Sequence, residues 1–140
     1  MKTMLIGRTG CGKTTLTQRL NKELLEYKKT QMVSYEGNII DTPGEYIENK
    51  SYYRALNVVA VDADIIILMQ SILDTQSLFP PNFASMFSGK EIIGVITKID
   101  LNGDIAKCES DLKNAGANKI FKVGLEKGDD FNKLKEILGW

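Results

Sequence analysis

One short segment near the start of the chain carries residues whose types and spacing suit the binding of phosphate. Directly after the apolar residues 4–6 it reads Gly7-Arg8-Thr9-Gly10-Cys11-Gly12-Lys13-Thr14-Thr15, which fits G-x-x-x-x-G-K-[ST]. In such a loop, backbone N–H groups turn towards phosphate oxygens, and the following helix adds the positive end of its dipole. We expect Lys13 to reach the β- and γ-phosphates and the Thr14 hydroxyl to ligate Mg²⁺. All nine residues are therefore assigned to a predicted nucleoside-triphosphate site.

A second candidate phosphate element follows further along the chain. The apolar pair Ile39-Ile40 leads into Asp41-Thr42-Pro43-Gly44, which has the form D-x-x-G. Asp41 is predicted to hold Mg²⁺ through a water, and the Gly44 N–H is predicted to bond the γ-phosphate. Loss of that phosphate would then release residues 44–50, which is the behaviour of a switch segment.

A third element points to the base of the nucleotide. The apolar residues 92–96 lead into Thr97-Lys98-Ile99-Asp100, which matches [NT]-K-x-D. The Asp100 carboxylate can accept two hydrogen bonds from the N1–H and exocyclic amine of guanine, while the stem of Lys98 covers the ring. Adenine offers no such pair of donors. Because ligands of parallel sheets bind at the carboxyl ends of the strands, the sequence predicts guanine recognition at that edge.

Apolar periodicity predicts strands and helices that alternate along the chain. The predicted strands are residues 3–6, 32–36, 38–40, 65–70, 92–96 and 119–123, and the predicted helices are residues 13–25, 51–61, 104–114 and 130–138. This order is typical of a parallel sheet covered by helices on both faces, with one hairpin at residues 36–38. We therefore predict a single α/β domain over residues 1–140, with a mostly parallel six-stranded sheet.

The composition argues against several other functions. The 140 residues are 43% hydrophobic, and 18 basic residues balance 18 acidic ones, so a basic surface for nucleic acid is not expected. No apolar run is long enough to cross a bilayer, and a cytoplasmic location is predicted. The chain has no histidine, which removes imidazole catalysis. Cys11 is expected to fill space in the loop, with redox reactivity as the alternative, and Cys108 is expected to pack on a helix.

Taken together, the three motifs resemble those of P-loop GTPases of the translation-factor-like and Ras-like class. Two longer segments are similar to the EutP/PduV family of ethanolamine and propanediol utilisation, which is associated with bacterial microcompartments. These segments are residues 41–49 (DTPGEYIEN) and 79–87 (FPPNFASMF), supported by Thr97-Lys98-Ile99-Asp100-Leu101. The resemblance implies a P-loop NTPase fold, a Ras-like three-layer α/β/α sandwich, that binds Mg²⁺ with GTP or GDP. It also implies microcompartment shell proteins or pathway enzymes as partners.

The resemblance also implies roles for residues outside the three motifs. Thr30 matches the first-switch threonine that completes the magnesium shell, although Ser34 fits the spacing as well. Gly124 and Leu125 match the loop whose backbone N–H bonds the guanine carbonyl. The catalytic candidates are therefore Lys13, Glu45 and Thr30, and the metal ligands are Thr14, Thr30 and Asp41.

The chain departs from the Ras-like pattern at two places. Glu45 stands after D-x-x-G where a glutamine would orient water, so like charge beside the γ-phosphate predicts slow hydrolysis. The usual Ser-Ala pair is missing from residues 123–126, which leaves ATP open as a ligand. Three functions stay open: a GTP-binding switch with slow hydrolysis, an ATP- or GTP-dependent kinase for a small metabolite such as acetate, and a non-hydrolysing nucleotide-binding scaffold. The oligomeric state is open as well.

Overall fold

The sheet is built around two strands made largely of isoleucine, leucine and valine. The structure is a computed structural model that describes residues 2–20, 39–124 and 130–139. Strands β3 (Ile65–Ser71) and β4 (Glu91–Thr97) pair in parallel over their full length, and every residue except Glu91 is buried. Burial on both faces is typical of the centre of a parallel sheet, which explains why these strands are continuous apolar runs.

Three shorter strands complete the sheet of the described residues. β1 (Thr3–Ile6) pairs with β3, β2 (Ile39–Asp41) pairs with β1, and β5 (Lys119–Lys122) pairs with β4, all in parallel. The strand order is therefore β2-β1-β3-β4-β5. The predicted parallel α/β sheet is confirmed, but five strands are seen where six were expected. The sixth, predicted at residues 32–36 with its hairpin, lies outside the described residues.

Helices cover both faces of the sheet. They lie in two pairs: α1 (residues 13–20, to the end of that described range) with α5 (Phe131–Ile137), and α3 (Tyr53–Ala60) with α4 (Ile105–Ala115). Successive strand residues point to opposite faces, so Leu5 packs in the α1 and α5 core and Met4 in the other. The two cores make the predicted three-layer sandwich. None of the helices described is long and apolar enough to span a membrane.

The single helix predicted over residues 51–61 is in fact divided. Helix α2 (Glu45–Glu48) and a 3₁₀ turn (Lys50–Tyr52) precede α3. Between them Asn49 is extended, with φ of −131°, and its side chain accepts a hydrogen bond from the Ser51 N–H at 3.0 Å. Such a local side-chain bond competes with a continuous helical ladder, so the prediction of one helix was wrong.

Helix α4 begins and ends as its sequence predicts. Asp104 Oδ1 accepts a hydrogen bond from the Lys107 N–H at 3.0 Å, which caps the first turn. Gly116 ends the helix in the left-handed region, with φ of 114°. A Cβ at this position would also lie 2.8 Å from the Cβ of Ala84. Backbone conformation and close packing therefore both require glycine here.

We expect Gly116→Ala to lower the free energy of unfolding by about 3 kcal/mol, because a left-handed alanine and an overpacked contact both add cost. Gly89→Ala is the matched control, since Gly89 has φ of 80° with no atom within 4 Å of an added Cβ. It should cost only about 1 kcal/mol. Urea unfolding followed by circular dichroism measures both values. Equal losses would contradict the close contact with Ala84.

Candidate nucleotide site

The predicted phosphate loop connects the carboxyl end of β1 to the start of α1. Gly10 and Gly12 have φ of 82° and 104°, in the region that side chains disfavour. A Cβ on Gly7 would lie 2.5 Å from the Sγ of Cys11. The loop is therefore a tight turn that needs its glycines, and it leads straight into the N-terminus of a helix.

Lys13 lies against the loop and is almost fully buried. Its Nζ donates hydrogen bonds to the Gly7 carbonyl at 2.6 Å and to the Arg8 carbonyl at 3.2 Å. A buried ammonium group needs acceptors to replace its lost hydration, and these two carbonyls supply them. The positive charge is thereby held beside the loop, where it can neutralise a bound anion.

The end of β4 is bonded directly to the same loop. Lys98, itself left-handed with φ of 59°, donates from Nζ to the Gly10 carbonyl at 2.7 Å. The Thr97 hydroxyl donates to the Cys11 carbonyl, and a Cβ on Gly12 would lie 3.3 Å from the Thr97 Cβ. The first and third motifs therefore form one packed unit, as the strand order predicts.

A cavity of about 260 Å³ opens beside this junction, between α1 and the ends of β4 and β5. Six residues that line it belong to the predicted site: Gly12, Thr15, Thr97, Lys98, Asp100 and Gly124. Four lining residues were not predicted: Leu16, Arg19, Leu101 and Val123. Apolar walls with one carboxylate suit a flat ring that presents N–H donors at one edge.

Arg19 is a site residue that the sequence analysis missed. Its Nη1 donates to the Gly124 carbonyl at 2.8 Å, and its guanidinium lies 3.9 Å from the centroid of the Phe131 ring. Arg19 therefore joins α1 to the segment after β5 and to α5. The available signal was helical spacing, because Thr15 and Arg19 are four residues apart and share one face of α1.

Gly124 packs directly against Asp100. A Cβ at position 124 would lie 2.9 Å from Asp100 Oδ1, and the Ile99 N–H donates to the Val123 carbonyl at 3.4 Å. The segments after β4 and β5 are thus in contact with no room for a larger side chain at Gly124. Leu125, the other residue predicted in this loop, lies outside the described residues.

The second motif also reaches the phosphate loop. Asp41 stands beside Leu5 in the β1–β2 register, and the Thr42 hydroxyl donates to the Leu5 carbonyl at 2.7 Å. Gly44 lies so close to Thr9 that an added Cβ would be 2.8 Å from the Thr9 Cα. All three motifs therefore meet at the carboxyl edge of the sheet.

Thr14 and Asp41 are the described residues predicted to bind a metal. Both are exposed at this edge, and hydroxyl and carboxylate oxygens are ligands that suit Mg²⁺. In the part of the chain that the structure describes, no group of three or more His, Cys, Asp or Glu could hold an ion. Phosphate oxygens and water would have to complete the shell. The third predicted ligand, Thr30, lies outside that part.

Two charged residues near the loop differ in their engagement. Glu45 is exposed at the first position of α2. Arg8 pairs with Asp74, with 3.2 Å between Nη1 and Oδ1, and the Arg8 side chain is 45% exposed. Arg8 is therefore partly in solvent, as expected, but its charge is already met by a carboxylate.

Both thiols are buried, Cys11 within the loop and Cys108 on α4. Burial raises the pKa of the Cys11 thiol, and the nearby Lys13 charge only partly opposes the shift. Burial also raises the pKa of the Cys108 thiol. A higher pKa means less thiolate at neutral pH, so the space-filling interpretation of Cys11 is favoured over the redox one.

A glycine-rich loop between the first strand and a helix of a parallel α/β sheet defines a P-loop NTPase-like protein. A family model described as ethanolamine utilisation - propanediol utilisation matches residues 1–139. The chain belongs to this PduV-EutP family, which confirms the resemblance read from its motifs.

Relatives from three bacteria show the same affiliation. The chain is 45% identical over 120 residues to the propanediol utilization protein PduV of Citrobacter freundii, covering 84% of this chain and 79% of the relative. It is 30% identical over 138 residues to the probable acetate kinase EutP of Salmonella typhimurium, covering 96% and 85%. It is 34% identical over 113 residues to the protein of that name in Escherichia coli K12, covering 79% and 71%.

We expect both thiols of the native protein to react with a disulfide reagent at pH 8 at least about tenfold more slowly than in urea, because only an accessible thiolate attacks. Absorbance of the released thiolate measures the rate, and the variants Cys11→Ser and Cys108→Ser report the two sites separately. Fast native reaction at Cys11 would instead support the redox alternative.

Proposed function

We propose that this protein is a small guanine-nucleotide-binding switch that hydrolyses GTP slowly with Mg²⁺. The observation that carries the proposal is the bonding of the third motif to the phosphate loop. Lys98 contacts the Gly10 carbonyl at 2.7 Å, and Thr97 contacts the Cys11 carbonyl. One nucleotide must span both places, so the distance between its phosphate and base subsites has to be constant.

Guanine is the base that best suits the cavity. Asp100 lines it, and a carboxylate accepts hydrogen bonds from the N1–H and the exocyclic amine of guanine. Adenine has no matching pair of donors on that edge. Leu16 and Leu101 supply apolar contact for the ring, and the stem of Lys98 can cover one face.

Magnesium fits the residues beside the phosphate loop. Thr14 and Asp41 would hold it, together with phosphate oxygens and water, and Thr30 remains the candidate for a further oxygen ligand. The ion, when bound, supplies positive charge against the phosphate oxygens. Lys13 adds its own ammonium group to the same charge, because its Nζ is held at the loop carbonyls.

Slow hydrolysis is supported by the charges near the loop. Glu45 places a carboxylate at the first position of α2, where Ras-like proteins have a glutamine that orients water. Arg8 belongs to the loop, but its guanidinium pairs with Asp74 at 3.2 Å. Neither residue therefore offers free positive charge to a transition state.

The cellular role follows from the family. Its description joins ethanolamine and propanediol utilisation, and the relative at 45% identity is named for propanediol utilisation. We place the protein in the cytoplasm, in one of these pathways, where it acts on the assembly or positioning of a bacterial microcompartment. Shell proteins or pathway enzymes would be its partners.

Asp100→Asn tests the base assignment. The amide of asparagine would oppose the guanine amine but match the carbonyl of xanthine, so GDP affinity should fall by about tenfold or more and XDP affinity should rise. Competition of GDP, XDP and ADP against a fluorescent nucleotide measures the three constants. The matched control is Asp104→Asn, which removes the same charge and still caps α4.

Two results would contradict the proposal. Equal affinity of the unaltered protein for GTP and ATP would remove guanine selectivity. Thermal stability unchanged by magnesium with GTP or GDP would indicate that neither binds, since a ligand of the native state must stabilise it. The second result would favour a scaffold with a vestigial site.

A second candidate function is phosphoryl transfer to acetate. It is favoured by the printed name of relatives at 30% and 34% identity, probable acetate kinase EutP. Such transfer normally uses an arginine-bearing lid that excludes water. The chain has only three arginines, of which Arg8 pairs with Asp74 and Arg19 binds Gly124. The kinase is therefore the weaker candidate.

Incubation with acetate and GTP or ATP distinguishes the two functions. We expect release of inorganic phosphate without acetyl phosphate, which is measured by trapping the acyl group with hydroxylamine. Lys13→Ala should abolish the release, because it removes the ammonium group beside the loop. Acetyl phosphate that forms with the unaltered protein and disappears in Lys13→Ala would establish the kinase instead.

A further inference from the structure

The first turn of α2 rests on the phosphate loop. Gly44 is close enough to Thr9 that an added Cβ would lie 2.8 Å from the Thr9 Cα. The Gly44 carbonyl accepts from the N–H groups of Ile47 and Glu48, at 3.2 Å in both cases. Gly44 is thus part of the helical turn, so a movement of Gly44 away from the loop carries α2 with it.

Glu48 adds a side-chain bond to this contact. The Thr9 hydroxyl donates to Glu48 Oε2 at 3.1 Å. The helix is oriented by its other side chains, because Ile47 is buried in the core and the Tyr46 ring stacks on Tyr52 at 5.0 Å. The carboxylate of Glu48 therefore reaches Thr9 from a packed helix and not from a freely moving segment.

This carboxylate lies on the side of the loop where a third phosphate would have to enter. In the proposed function the γ-phosphate sits between the loop and Gly44, but Gly44 and Thr9 are in direct contact. A third phosphate must therefore separate them and approach the negative charge of Glu48. The α- and β-phosphates, cradled by the rest of the loop, do not require that separation.

We infer that Glu48 is a specificity-determining residue that makes the site prefer a nucleoside diphosphate to a triphosphate. The inference rests on the proposed function and deepens it. Thr9 exchanges its bond with Glu48 for one with the third phosphate, and α2 moves as that exchange occurs. Like charge between the carboxylate and the phosphate sets the size of the preference.

Glu48→Gln separates charge from hydrogen bonding, because the amide oxygen of glutamine still accepts from the Thr9 hydroxyl. Affinities for GDP and a non-hydrolysable GTP analogue are measured with Mg²⁺. We expect the triphosphate to gain about five- to tenfold over the diphosphate. The affinity for GDP should change less than about twofold. Glu48→Ala, which also removes the acceptor, should gain at least as much.

Glu91→Gln is the control for loss of one negative charge. Glu91 lies at the start of β4, at the opposite edge of the sheet, and pairs with Lys119 at 3.8 Å. Its ratio of triphosphate to diphosphate affinity should equal that of the unaltered protein.

The outcomes separate this inference from the function on which it rests. A ratio unchanged in both Glu48 variants, with both nucleotides bound, would overturn the role of Glu48 and leave the switch intact. A gain equal to that of Glu91→Gln would overturn it in the same way. Failure of the unaltered protein to bind either nucleotide would overturn the proposed function and this inference together.

Discussion

The carbonyl groups of the phosphate loop are held by side chains, and the rest of the site depends on this. Lys13 binds the carbonyls of Gly7 and Arg8, Lys98 binds that of Gly10, and Thr97 binds that of Cys11. In a planar trans peptide the N–H points away from the carbonyl, so anchoring one fixes the direction of the other. The loop is thereby organised for an anion before one arrives.

The same bonds connect the loop to the cavity beside it. Thr97 and Lys98 end β4, which is a buried central strand, and so the loop is attached to the most rigid part of the sheet. Arg19 makes a second connection, from α1 to Gly124 and Phe131. The carboxyl edge of the sheet is therefore one assembly in which the spacing between the loop and Asp100 is set by the core.

The second motif is attached in a different way, and this difference supports a switch. Strand β2 is a short edge strand, held to β1 partly by the bond from the Thr42 hydroxyl to the Leu5 carbonyl. Beyond it, α2 touches the loop through Gly44 and one exposed bond from Thr9 to Glu48. Single exposed hydrogen bonds contribute little net stability, about 1 kcal/mol, so a ligand of the loop can displace this helix. Membership of the PduV-EutP family is compatible with such a device and with phosphoryl transfer, because both begin with the same loop.

The sequence alone determined the sheet class, the family, and the order of the three motifs. Strands 3–6 and 65–71 were readable because a strand buried on both faces must be a continuous apolar run. Gly10 and Gly12 were readable because a left-handed backbone leaves few other residues possible. The break at Asn49 and the roles of Arg19 and Glu48 were decided by the tertiary structure. Their partners Gly124 and Thr9 are distant in the chain, and no local pattern records which polar groups the folded core brings within hydrogen-bonding distance.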